Sequence, residues 1–276
     1  PLIREHLARG ADLTMSLTRV PRDQAHRYGI ARLDADGRVV AYEEKPSSPS
    51  GDLASMTVYV FRYATLVARV RQNAAEGSGR QLYADVIPRM LAEGDRVYGH
   101  VFEGTWRYAR TLDEYYATSM EILSASSPDL AAWGVRTNLY AGMLADPPPA
   151  FFAEGARAER SLVGAGGRIE GTVEDSGLSP SVVVERGASV RGSVLFHNAV
   201  VRAGARLDRV ILDKDVEVGA DAELGIGETV VNASYPASLT CGAVVIGKGT
   251  RVPPAARVGR GCIVRPGLGA DAWPTR

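Results

Sequence analysis

SGLSPSVVVERGASVRG (176–192), SVLFHNAVVRAGARLDR (193–209) and VILDKDVEVGADAELGI (210–226) are three lines of one pattern, which runs over residues 176–227 with a period of seventeen residues. Val184, Val201 and Val218 fall in register, and so do Val190, Leu207 and Leu224, six residues further on. Aliphatic residues at six-residue intervals, with Gly and Ala between them, predict a hexapeptide-repeat parallel β-helix. A single coil is too small to bury its own apolar side, so neighbouring coils must stack to make a core. Such a repeat is a scaffold. Chemistry has to be sought upstream, in residues 1 to about 125.

The 276 residues are 45% hydrophobic and 23% charged, as in ordinary globular proteins. Lys plus Arg equals Asp plus Glu at 32 each, which argues against a nucleic-acid footprint or a basic membrane surface. No apolar run approaches the roughly 20 residues that span a bilayer, and no leader pattern is visible. The two cysteines, Cys241 and Cys262, have neither metal-ligand spacing nor the density of a disulfide framework. A cytoplasmic location is expected. The chain starts at Pro1 and runs directly into a helical pattern, which suggests that an N-terminal portion has been removed.

Upstream of the repeat, helix and strand patterns alternate. Leu2, Ile3, His6 and Leu7 share a helical face, with Gly10 placed as its C-cap. Leu13–Val20 reads as a strand, and residues 29–46 as a hairpin around Asp36-Gly37. Residues 55–61 and 96–102 read as further strands, and 66–75 and 82–92 as amphipathic helices. Thr111, with Glu114 three residues later, is a capping box opening a helix to Leu123. The alternation predicts an α/β sheet domain over 1–125. Residues 126–160, with Pro147-Pro148-Pro149, are expected to be a linker, and 161–276 the β-helix, interrupted by a loop at 228–243. The rhythm resumes at Ile246, Val252, Val258 and Val264, and the last residues, ADAWPTR, are expected to fray.

The residues with most chemical promise are Glu44 and Lys45, which precede Pro46 at the end of the hairpin. Proline disfavours the helical region for its predecessor, so an extended Lys45 is predicted. An ammonium suits a phosphate and a carboxylate accepts from hydroxyls, so the pair would suit a sugar phosphate. It also reads as a solvated ion pair at a strand end, and the chemistry of the pair alone favours that reading. Ser55, at the start of the next strand, would join them through an antiparallel neighbour, or else it is a turn serine. Gly29 would let a ligand approach the backbone, or else it marks a bend. Arg107, beside Trp106, could bind an anion. His6, His26, His100 and His197 are scattered, and no P-loop, GxGxxG or CxxC occurs.

Together, GADLTMSLTRVPRDQAHRYGIARLDADGRVVAYEEKP, LASMTVYVF, FEGTWRYARTLDEYY and SLVGAGGRIEG leading into SVLFHNAVVRAGARLDRVILDKDVEVG resemble the bacterial glucose-1-phosphate adenylyltransferases over nearly the whole chain. The EKP element is shared with many sugar nucleotidyltransferases and the hexapeptide rhythm with acyltransferases; both in this order narrow the match. The resemblance implies a Rossmann-like mixed sheet followed by a left-handed parallel β-helix. It implies the conversion of ATP and α-D-glucose 1-phosphate to ADP-glucose and diphosphate with Mg2+, in glycogen synthesis. It places Gly29, Glu44, Lys45 and Ser55 at the sugar-phosphate site, and it implies an allosteric tetramer or hetero-oligomer. Arg157, Arg160 and Arg168 are candidates for an effector anion, or else a solvated basic face.

Three departures qualify the resemblance. The family's Gly-rich nucleotide-binding half with its basic catalytic residue has no counterpart here. Where the family reads Trp-Arg-Asp-Val-Gly-Thr and its Asp binds Mg2+, this chain has Tyr108, with Arg110 in place of Gly. Likewise Gln81-Leu82-Tyr83-Ala84 stands where the family tends to have Asp-Phe-Gly-Lys. A phenol does not hold Mg2+ as a carboxylate does. The chain on its own is therefore expected to be inactive, with no catalytic residue and no metal ligand assigned to it. The alternatives are a noncatalytic regulatory subunit, another sugar-1-phosphate nucleotidyltransferase, and a hexapeptide acyltransferase using His197.

Overall fold

A computed structural model describes residues 1–77, 81–123, 130 and 147–273. The chain divides into two compact units, Pro1–Trp106 and Arg107–Arg276. Most of the expected linker, and residues 274–276, lie outside the described residues.

The first unit is a five-stranded mixed sheet. Its elements are helix α1 (Leu2–Ala8), strands β1 (Leu13–Arg19), β2 (Gly29–Leu33), β3 (Val39–Glu44) and β4 (Leu53–Phe61), helices α2 (Tyr63–Ala75) and α3 (Ile87–Ala92), and strand β5 (Val97–Val101). The sheet order is β3-β2-β4-β1-β5, with only β1 and β5 parallel. Alternation along β1 separates the two faces. Leu13, Met15 and Leu17 enter a core with Ala31, Val39, Val86, Ile87, Met90 and Val97. Thr14, Ser16 and Thr18 are buried on the other face, where Thr14 Oγ1 lies 2.9 Å from Nδ1 of His6 on α1. The hairpin turn falls at Gly37, with a φ of 79°. The helix expected over 82–92 opens as a wide π turn over Leu82–Val86 before α3 begins. Pro88, in the first turn of α3, has no N–H to donate back along the chain, which accounts for the irregularity.

The second unit opens with α4 (Leu112–Ile122), whose capping box forms as expected: Thr111 Oγ1 accepts from Glu114 N at 3.1 Å and Glu114 Oε2 accepts from Thr111 N at 3.2 Å. Three parallel six-stranded sheets follow, wrapped around one core as a left-handed β-helix. One sheet stacks Ile169, Val184, Val201, Val218 and Val252, and a second stacks Val173, Val190, Leu207, Leu224 and Val258. The third stacks Leu178, Leu195, Leu212, Ile246 and Val264. The first coil is already formed by Phe151–Phe152, Arg157–Glu159 and Leu162–Val163, ten residues before the expected start at Ser161. At the far end Ala270–Ala272 form a 3-10 turn and Trp273 packs against the core, so this part of the tail is ordered rather than frayed.

The seventeen-residue period has a physical cause. Core positions advance by six, five and six residues around a coil, as in Val184, Val190, Leu195 and Val201. The shortened step turns through a residue with positive φ: Arg160 (45°), Asp175 (47°), Gly192 (52°) and Arg209 (56°). In the first three coils a serine follows it. The hydroxyls of Ser161, Ser176 and Ser193 donate to the carbonyls two residues earlier at 2.7, 2.6 and 2.7 Å. Each also accepts the amide of the equivalent residue one coil on, Ser176, Ser193 and Val210, at 3.1, 3.0 and 3.0 Å. The column of serines thus satisfies buried amides at the short corner.

The rhythm breaks between Ile226 and Val244, as expected. The inserted loop is anchored by buried Leu239 and by α4. Asp113 accepts from Thr240 N (2.9 Å), Thr240 Oγ1 (2.7 Å) and Cys241 N (3.0 Å).

Candidate functional site

The register of the first unit gathers three of the four candidate residues. Gly29 pairs with Glu44 across β2 and β3, and Ile30 pairs with Ala54 across β2 and β4, which brings Ser55 next to Gly29. The antiparallel neighbour that Ser55 needs is therefore β2. Lys45 follows directly. Its amide donates to Tyr28 O at 3.1 Å, continuing the ladder by one rung. Its φ is 46°, so Lys45 is left-handed and not extended as the Pro46 rule predicts. The chain reverses at this residue on leaving the sheet. Lys45 Nζ lies 3.7 Å from Glu44 Oε1, an ion pair with no direct hydrogen bond, and the lysine is half-exposed.

Two tyrosines that the motif reading did not single out complete the cluster. Tyr42 is two residues before Glu44 on the same face of β3, and its hydroxyl donates to Glu44 Oε2 at 3.0 Å. Ser55 is buried at 5% exposure, with its hydroxyl 3.1 Å from Tyr59 Oη and accepting from Thr57 N at 3.3 Å. Ser55 and Tyr59 share a face by the alternation of the strand, and the bulge of β4 between them shortens their separation: they sit opposite Leu17 and Met15, and Thr57 at the bulge has a φ of 57°. Burial, reinforced by Tyr59 and the charge of Glu44, pushes the Tyr42 phenol far above its ordinary value. Burial also raises Tyr59, against hydrogen bonding from Ser55. Both phenols stay neutral and able to donate at neutral pH. The only sequence signal for them was aromatic residues spaced by two and four from the charged and hydroxyl candidates.

The remaining candidates lie elsewhere. In the first unit, Trp106 packs its ring against Tyr28 at 5.7 Å between centroids. In the second, Arg107 pairs with Glu121, and Arg110 lies over the Tyr108 ring at 5.3 Å. His100 Nδ1 is 2.6 Å from Glu5 Oε2, and His197 lies at a coil corner, where its carbonyl accepts from Asp215 N at 3.0 Å. Arg160 is engaged by Asp175 (2.6 Å) and Arg168 by Glu170 (2.6 Å), which leaves the basic face largely neutralised. Tyr108, which the resemblance aligns with a Mg2+-binding carboxylate, is a phenol. No group of three or more His, Cys, Asp or Glu able to hold a metal occurs among the described residues. No helix among the described residues is long and apolar enough to cross a membrane.

A mixed sheet with a charged pair at a strand end, joined to a hexapeptide β-helix, has clear counterparts among known proteins. Residues 1–125 match the nucleotidyl transferase family and residues 147–246 match the GlmU-like C-terminal hexapeptide family. More particularly, the chain is a homologue of the glucose-1-phosphate adenylyltransferases. It is 30% identical to that of Acetivibrio thermocellus over 271 residues (98% of this chain, 63% of the relative). It is 36% identical to that of Thermomicrobium roseum over 281 residues (99% and 64%), and 32% identical to that of Desulfitobacterium hafniense strain Y51 over 227 residues (81% and 56%). The chain thus spans less than two thirds of the length of these relatives.

Proposed function

We propose that the first unit binds α-D-glucose 1-phosphate for adenylyl transfer from ATP, yielding ADP-glucose and diphosphate for glycogen synthesis. The observation that carries this reading is the convergence of Glu44, Lys45, Gly29 and Ser55 at one corner of a nucleotidyl transferase sheet. Lys45 supplies the charge for the phosphate. Glu44 accepts from sugar hydroxyls, with Ser55 on the far side of Gly29 in the sheet. In the reaction a sugar-phosphate oxygen attacks the α-phosphorus of ATP and diphosphate leaves, a displacement that depends on positioning and charge neutralisation. ATP, a second copy or another subunit, and a cytoplasmic setting complete the reading.

The 276 residues contain no Gly-rich nucleotide loop, and the resemblance aligns Tyr108 with the family's metal ligand. The polypeptide alone is accordingly expected to bind the sugar phosphate without turning it over. Calorimetric titration tests this. Saturable binding of α-D-glucose 1-phosphate, weakened about tenfold to a hundredfold by Lys45→Ala, supports the reading, and no binding by the unsubstituted chain contradicts it. Mg2+-dependent formation of ADP-glucose by this chain alone would overturn the expectation of inactivity. Tyr108 also favours a second reading, a noncatalytic regulatory subunit. Within an assembly that supplies the nucleotide half, Tyr108→Asp should then raise turnover, and equal rates would count against that role.

A further inference from the structure

We infer that the Tyr42 hydroxyl positions the Glu44 carboxylate for the sugar, and that Gly29 serves the site by leaving room for Tyr42. The inference rests on the sugar-phosphate reading above and assigns a positioning residue within it. Glycine at 29 is not required by its backbone, since its φ lies outside the left-handed region. It is required by space. A Cβ on residue 29 would stand 2.0 Å from Tyr42 Oη, 2.6 Å from Tyr42 Cζ and 2.8 Å from Glu44 Oε2. The volume that glycine vacates is therefore occupied by the phenol tip and the carboxylate, and not held open for a ligand.

The consequence for Glu44 is geometric. A glutamate at a strand end rotates freely unless a partner fixes it, and ordering it on binding would cost affinity. Tyr42 takes Oε2 with a 3.0 Å charge-assisted hydrogen bond, while Oε1 faces Lys45 at 3.7 Å and retains acceptor capacity. Ser55 and Tyr59, themselves joined at 3.1 Å, lie against the same phenol and support it from below. The neutrality of the half-buried Tyr42 phenol keeps it a donor. The carboxylate is thus preorganised, with one oxygen held by the protein and one left for a sugar hydroxyl.

The test titrates the chain with α-D-glucose 1-phosphate and, separately, with inorganic phosphate, which probes Lys45 and not Glu44. Tyr42→Phe keeps the ring and removes the donor. It should weaken glucose 1-phosphate binding about tenfold and leave phosphate binding and the melting temperature unchanged. In a Glu44→Gln background the same substitution should have little further effect, because the carboxylate it positions is gone. Gly29→Ala should weaken the sugar phosphate in the same selective way, less than additively with Tyr42→Phe. Equal glucose 1-phosphate affinity for wild type and Tyr42→Phe overturns the inference while leaving the sugar-phosphate reading standing. A parallel loss of both ligands also overturns it. A wild-type chain that binds phosphate but not glucose 1-phosphate overturns the sugar-phosphate reading, and this inference with it.

Discussion

Leu195 has an equivalent one coil before it, Leu178, and another one coil after it, Leu212, whereas Tyr42 in the first unit has no counterpart anywhere in its sheet. The β-helix says one thing many times. Each coil from Ile169 onward repeats three buried aliphatic positions, so neighbouring coils reinforce one another and the period stands out in the sequence. The sugar-phosphate corner says one thing once. Glu44, Lys45, Gly29, Ser55, Tyr42 and Tyr59 come from three strands, and each occupies its place through a single register or a single bulge. Repetition supplies stability that can be read without a structure. A site depends on unrepeated geometry, and its members are legible only when they carry conspicuous chemistry.

The comparison can be broken most forcefully in the stack. Leu195→Ala removes a fully buried side chain from the middle of the coils, and should destabilise the second unit by about 2–5 kcal/mol in denaturant unfolding while leaving glucose 1-phosphate affinity in the first unit unchanged. A smaller effect is expected at the short corner. Ser193→Ala leaves the Val210 amide without its acceptor and should cost about 1–3 kcal/mol. A loss near zero would show that the serine column fills space and contributes no satisfied amides. The smallest effect concerns the inserted loop. Burial pushes the Asp113 carboxyl up, but the hydrogen bonds from Thr240 and Cys241 outweigh it and hold the group below its ordinary value. A depressed carboxyl contributes stability above its unfolded value of about 3.9 and loses it as pH falls through the folded value. The difference in melting temperature between Asp113→Asn and the unsubstituted chain should therefore be present at pH 6 and shrink as pH falls below about 4. A difference that is constant across that range would place the latch elsewhere.

How much was legible follows from the same contrast. The core positions at 184, 190, 201, 207, 218 and 224, the interruption after 227 and the resumption at 246, 252, 258 and 264 could all be read from the period. The first coil could not, because Phe151 and Phe152 are exposed and the Arg157–Glu159 strand carries no buried aliphatic residue. The five-residue step was hidden too, because a serine hydroxyl standing in for missing backbone leaves no hydrophobic signal. In the first unit the hairpin around Gly37 and the capping box at Thr111 in the second followed from local chemistry. Lys45 did not obey the rule for residues before proline, since tertiary reversal at the sheet edge outweighed a local preference. The bulge at Thr57 that draws Tyr59 close to Ser55 also has no local signature, so the tyrosines went unassigned and Gly29 was credited with ligand approach.

Hydrogen–deuterium exchange with and without saturating α-D-glucose 1-phosphate tests the division of labour most directly. Protection confined to residues 28–31, 42–46 and 53–59, with the coils from Phe151 to Val264 unchanged, is the predicted result. Protection centred on the coils, or none at 42–46 under saturation, would contradict it.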